Sequence, residues 1–221
     1  GKTRKEIVFL NNEMRLFEKP CIGTADESEV IDLYITLPMS MLTWLILILH
    51  GKLERLSNWI PQLQNVVQLH LMCSKLTDDA LESLKDMPRL MLLCFIGNAY
   101  EGETLHFQCG WFRKLKHLQL LSFDKLKSIL IDKGALCSLE NFDLENLSQL
   151  KTVPSGIQHL KKLKLLNIEY MSSEFEQRID PDGGQDHRII HHVPLLRIWS
   201  RDGEEPLDII SRSHHSQSYK S

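Results

Sequence analysis

Three places in this 221-residue chain hold side chains that could do chemistry. The sequence opens Gly1-Lys2-Thr3, the residues that end a phosphate-binding loop, where the lysine reaches phosphates and the threonine ligates magnesium. Such a loop also needs a preceding glycine-rich turn and strand, so no nucleotide site is read there. Histidines gather late, at His187, His191, His192, His214 and His215, and imidazole is the commonest metal ligand. No cysteine lies beyond Cys137 and the spacings match no compact site. Asp143, Glu145 and Glu169 are candidates for paired carboxylates, which do acid and base work when burial raises one of them. They alternate with Leu144 and Ile168, which puts them on a solvated face as an acidic patch. The expectation is a chain with no catalytic centre, no metal and no cofactor of its own.

The elements that must position these groups are repeats. A Leu-x-x-Leu-x-Leu pattern reads Leu42-x-x-Leu45-x-Leu47, Val66-x-x-Leu69-x-Leu71, Leu90-x-x-Leu93-x-Phe95, Leu115-x-x-Leu118-x-Leu120, Leu139-x-x-Phe142-x-Leu144 and Leu163-x-x-Leu166-x-Ile168, with central residues 24, 24, 25, 24 and 24 apart. Weaker copies flank them: Phe17-x-x-Pro20-x-Ile22, 25 residues before Leu45, and Val193-x-x-Leu196-x-Ile198, 30 after Leu166. A period of roughly 20–29 residues with this signature is that of leucine-rich repeats, each one strand plus a returning segment. No unit buries its leucines alone; stacking makes a parallel sheet with pattern leucines in a shared core and the residues between them on the concave face. The predicted fold is an α/β horseshoe solenoid of about eight units over residues 17–200. Residues 1–16 read as the convex remnant of a preceding repeat and residues 201–221 as a polar, disordered tail.

On the convex side, Thr77 caps a predicted helix whose face is Leu81 and Leu84 and whose end precedes Pro88. The stretch from Gly97 to Gly110 reads as an extended loop with a small strand around Leu105 and Phe107. Elsewhere the return is short and irregular.

A formal charge of -3 gives no reason to propose nucleic acid or an anionic membrane as partner. The run from Met41 to Leu49 is too short to cross a bilayer. Five scattered cysteines, none in a C-x-x-C pair, suit a reducing, cytoplasmic location. The Asn146-Leu147-Ser148 triplet is read as a chance glycosylation sequon.

Function is therefore sought on the outward positions. These are Lys19 and Cys21; Trp44, Ile46 and Ile48; Gln68, His70 and Met72; Leu92, Cys94 and Ile96; His117, Gln119 and Leu121; Asn141, Asp143 and Glu145; Leu165, Asn167 and Glu169. The early strands present apolar side chains and the later ones acids and amides. An apolar patch of several hundred Å² marks a contact surface, and Trp44 is the expected anchor; the equal alternative is that Trp44, Ile46 and Ile48 are covered by a preceding N-terminal neighbour of the same protein.

Three stretches, "LERLSNWIPQLQNVVQLHLMCSKLTDDALESLKDMPRLMLLCF", "YEGETLHFQCGWFRKLKHLQLL" and "LKTVPSGIQHLKKLKLLNIEYMSSEF", resemble the repeat region of plant intracellular immune receptors. These are the coiled-coil, nucleotide-binding, leucine-rich repeat disease resistance proteins, and within them the cereal RPM1-like group. The resemblance covers about residues 5–200. Secreted plant receptors carry an Asn-x-Leu-x-Gly-x-Ile-Pro continuation; here that asparagine position holds His50, Ser74, Asn98, Phe123, Leu147 and Met171. The resemblance implies a defense sensor that contacts a pathogen effector or guarded host protein and restrains a nucleotide-binding switch, with ADP or ATP held only by that switch domain. The alternative is a generic scaffold such as a ubiquitin-ligase adaptor. Pro20 at a strand leucine and Ser57 in place of the usual proline before "NWI" suggest a truncated or decaying paralogue.

Overall fold

The computed structural model describes residues 21–23, 45–53, 60, 63–200 and 206–210. Its strands are β1 (Cys21–Gly23), β2 (Ile46–His50), β3 (Gln68–Met72), β4 (Leu92–Ile96), β5 (Thr104–Phe107), β6 (His117–Phe123), β7 (Ser128–Ile131), β8 (Asn141–Leu147), β9 (Leu165–Glu169), β10 (Leu195–Trp199) and β11 (Leu207–Ile210). Nine of them form one sheet in the order β1-β2-β3-β4-β6-β8-β9-β10-β11. Every pairing in it is parallel except β10 with β11. Neighbours in the sheet follow chain order, as a stack of like units requires. The eight parallel strands match the eight copies read from the sequence, and the leucine-rich repeat fold is as expected.

The strand alternation has a simple cause. Leu69 and Leu71, Leu118 and Leu120, Phe142 and Leu144, and Leu166 and Ile168 point below the sheet and are buried, while the residues between them are half-buried on the other face. Their counterparts on neighbouring strands lie opposite one another, so each leucine packs on the repeats before and after it. One continuous core results, running from Leu47 to Leu196.

The first strong copy of the pattern is corrected by two residues. Leu47 and Leu49, not Leu45 and Leu47, stand opposite Leu69 and Leu71. Leu45 is 39% exposed, like Met91 at the matching place before β4. The core pair of this repeat is thus Leu47-x-Leu49, 22 residues before Leu69-x-Leu71. The run "LTWLILIL" contains leucines in both frames, and periodicity alone chose the wrong one. The backbone supplies an independent marker of the right frame. Gly51, Cys73, Gly97, Ser122, Asn146 and Tyr170, one after each strand's core segment, all have φ between 50° and 118°. The chain takes this left-handed residue just past the core segment in the repeats of β2, β3, β4, β6, β8 and β9.

On the convex side β5 and β7 form a second, two-stranded parallel sheet, with Leu105 opposite Ile129 and Phe107 opposite Ile131. Isolated parallel bridges also join Leu76 to Tyr100 and Leu130 to Ser155. The strand at Leu105 and Phe107 was expected; β7 was not, because "KSILID" carries no turn signal to separate it from a loop. Gly156 closes this row at φ 91°, where a Cβ would lie 1.9 Å from the Ile131 carbonyl oxygen. Only glycine fits there.

Helix α1 (Asp78–Leu84) forms where predicted and buries Leu81 and Leu84. Thr77 holds its N-cap backbone geometry, but its hydroxyl accepts no helix amide, so the side-chain cap is corrected. The extra residues before β10 fold into α2 (Ser173–Ile179), capped by Ser172, and α3 (His187–Ile190). Arg178 forks onto Asp186, with Nε–Oδ2 2.9 Å and Nη2–Oδ1 2.8 Å, and Asp186 also accepts the amide of Val153. This ties the insertion to the preceding repeat.

The sequence reading ended the array at residue 200. Instead Leu207–Ile210 form β11, antiparallel to β10 along the sheet edge, with Arg197 bidentate on Asp208 at 2.8 and 3.0 Å. The remaining stretches given a role above, residues 1–16 and 211–221 with His214 and His215, together with Pro20, Trp44 and Ser57, lie outside the described residues.

Candidate interaction surface

Because side chains alternate across a strand and the strands are in register, the concave face is a grid of three rows. The entry row is Ile46, Gln68, Leu92, His117, Asn141, Leu165 and Leu195; the middle row is Ile48, His70, Cys94, Gln119, Asp143, Asn167 and Arg197. The exit row is His50, Met72, Ile96, Leu121, Glu145, Glu169 and Trp199. The expected outward residues from Ile46 to Glu169 all take their places in this grid, and Cys21 on β1 stands opposite Ile48. Trp44, the expected anchor, lies outside the described residues.

The grid also holds residues the sequence reading passed over. His50 was displaced by the two-residue frame error. Leu195, Arg197 and Trp199 follow by alternation from the Val193-x-x-Leu196-x-Ile198 copy. Adding them gives the far end of the face an aromatic and a cationic side chain.

Burial differs sharply along the middle row. Cys94 is 1% exposed, although it points to the concave side. Its short side chain sits between the longer His70 and Gln119 of the neighbouring strands. Burial, then the charges of Asp143 and Glu145, push its thiol up to about 12. Cys94 is therefore an un-ionised packing group rather than a surface contact. Burial likewise holds His70 below its ordinary value, which keeps the ring neutral at pH 7.

The acids are arranged in two different ways. Asp143 is held within the face: its Oδ2 lies 2.7 Å from His117 Nε2 and accepts from Gln119 Nε2 at 2.7 Å. Glu145 stands opposite Glu169 on the next strand, and its own neighbour in the exit row on the other side is Leu121. Burial first, then the charges of Glu169 and Asp143, raise Glu145 above the ordinary carboxylate value. Glu169 accepts from Asn167 Nδ2 at 2.5 Å. The solvated patch expected at these positions is thus half-buried and partly organised.

His187, His191 and His192 each place Nδ1 against a backbone carbonyl, of Ile179, Arg188 and Ile189. Among the described residues no three His, Cys, Asp or Glu side chains come together as metal ligands. No described helix is long and apolar enough to cross a membrane. Gly1-Lys2-Thr3 lies outside the described residues.

No family model matches the chain. It is similar to the disease resistance protein RPM1 of Arabidopsis thaliana, with 32% identity over 188 residues, 85% of this chain and 20% of that protein. Disease resistance proteins RPP8 and RPH8A of the same plant are 24% and 23% identical over 138 residues, 62% of the chain and 15% of each relative. The chain thus spans a fifth or less of the length of these relatives. Together with the stacked leucine pattern, these similarities place the chain among the leucine-rich repeat regions of plant disease resistance proteins.

Proposed function

We propose that the chain is a protein-recognition and regulatory region, which uses its concave face to sense a pathogen effector or a guarded host protein and to restrain a nucleotide-binding switch domain. One observation carries this reading. Ile46, Ile48, Met72, Leu92, Ile96 and Leu121 are partly exposed on one face of the sheet, where a solenoid with no partner gains by being polar. Covering them with a partner removes apolar surface from water at roughly 25 cal/mol per Å². Disease resistance relatives supply the biological setting. Any ADP or ATP binding is assigned to the switch domain and not to these residues, and the setting is cytoplasmic.

The test is association in leaf tissue with secreted pathogen proteins and with nucleotide-binding domains of plant disease resistance proteins. The chain is expected to pair with at least one of them, and the concave variant M72E/I96E to lose that pairing while K133E, on the convex side, keeps it. Identical pairing by wild type and M72E/I96E overturns the reading.

A further inference from the structure

We propose that the exit row of the concave face is built for an amphipathic helix of a protein partner, with Met72, Ile96 and Leu121 receiving its apolar side chains and Glu145, Glu169 and Trp199 receiving a Lys or Arg. This rests on the concave-face reading above and names the chemistry of the partner.

The charge argument comes from what is already paired. Asp143 is matched by His117 and Gln119, and Arg197 is committed to Asp208. Glu140 sits between Lys116 and Lys164, off the concave face. Among the described residues no Lys, Arg or His lies within ion-pair distance of Glu145 or Glu169. Two carboxylates therefore stand side by side on adjacent strands, half-buried and without a cation. A partner's ammonium or guanidinium supplies the missing charge where burial limits screening by water.

Trp199 is an independent observation pointing to the same ligand. It is the cross-strand neighbour of Glu169 in the same row and is half-buried, not sealed into the core. A cation held by carboxylates beside an indole gains from both.

Spacing selects a helix as the occupant. Neighbouring strands are about 4.8 Å apart, and side chains at i, i+3 or i+4, and i+7 of a helix recur at about 5.4 Å per turn. A helix laid along the row thus offers one side chain per strand, its apolar stripe over Met72, Ile96 and Leu121 and its next turns over the glutamates. The flexible stems of Met and Lys absorb the remaining mismatch.

Binding of the full chain to a fluorescent synthetic helix, leucines at i, i+4 and i+7 followed by lysines at i+11 and i+14, tests this by anisotropy. The wild-type chain should prefer this probe over its glutamate counterpart by about 10-fold, less at high salt. E145K/E169K should invert the preference, and the milder E145Q/E169Q, with fold checked by circular dichroism, should erase it. A proline placed mid-probe should abolish binding. Equal binding of the two probes, a preference unmoved by E145Q/E169Q, or full binding of the proline probe overturns the proposal. If M72E/I96E still loses its partner in leaf tissue while the probes are not discriminated, concave recognition stands and the cation subsite falls.

Discussion

Leu47 lies directly opposite Leu69 in the parallel pairing of β2 and β3, and both are fully buried. Leu45, two residues earlier and on the same side of the sequence alternation, is 39% exposed. Truncating Leu47 to alanine should cost about 2–5 kcal/mol through lost burial and a residual cavity. Leu45→Ala should stay within about 0.5 kcal/mol. Urea unfolding of the two variants decides the frame, and a larger loss at Leu45 would show that the register is wrong.

One of the left-handed residues past a core segment offers a stabilising substitution. Ser122 sits there at φ 62°, a conformation that costs an L-residue about 1–2 kcal/mol. Glycine removes that strain but loses more entropy on folding. Ser122→Gly should therefore gain about 0.5–1 kcal/mol, seen as a higher urea midpoint; a lower one contradicts the argument.

Gly156 is the opposite case. A methyl group there meets the backbone carbonyl of Ile131, which cannot rotate away, in addition to the strain of φ 91°. Gly156→Ala should cost at least about 2 kcal/mol. Faster amide exchange should follow at Ile131, whose N–H donates to Ser155. A neutral substitution would remove the second sheet's role in closing the convex side.

Glu145 makes stability depend on pH in a defined direction. Its carboxyl titrates above the ordinary value in the folded chain, so the native state holds the proton more tightly than the unfolded one. The ionised form therefore weakens the fold at neutral pH, and that penalty fades as pH falls through the folded pKa. Glu145→Gln should raise Tm at pH 7, with the gain shrinking toward the carboxylate range. A gain that persists unchanged in acid would assign the effect to something other than ionisation.

At the sheet edge, Arg197 and Asp208 are the side-chain tie between β10 and β11. Asp208→Asn removes the charge from the fork. Hydrogen exchange at Leu207–Ile210 should accelerate while that of β6 and β8 stays unchanged. Uniform acceleration would mean that β11 supports the whole array rather than its edge.

The leucine spacing alone was enough to specify eight stacked strands, which residues face the core from Leu69 to Ile168, and the grid of outward positions between them. The physical reason is that a strand has a strict period of two and each repeat repeats the environment of the last, so one sound copy predicts its neighbours. Degenerate stretches broke this logic. In "LTWLILIL" two frames bury equally good leucines, and only pairing with β3 chose Leu47 over Leu45. The short stretch Leu207–Ile210 reads as tail because its strand is made by an edge partner and an ion pair, not by a repeat pattern of its own. Likewise the spacing announced Cys94 and Glu145 as outward residues. Tertiary packing decided that Cys94 is covered by its longer neighbours, and that Glu145 meets Glu169 with no cation between them among the described residues, because burial and charge depend on what adjacent strands bring alongside.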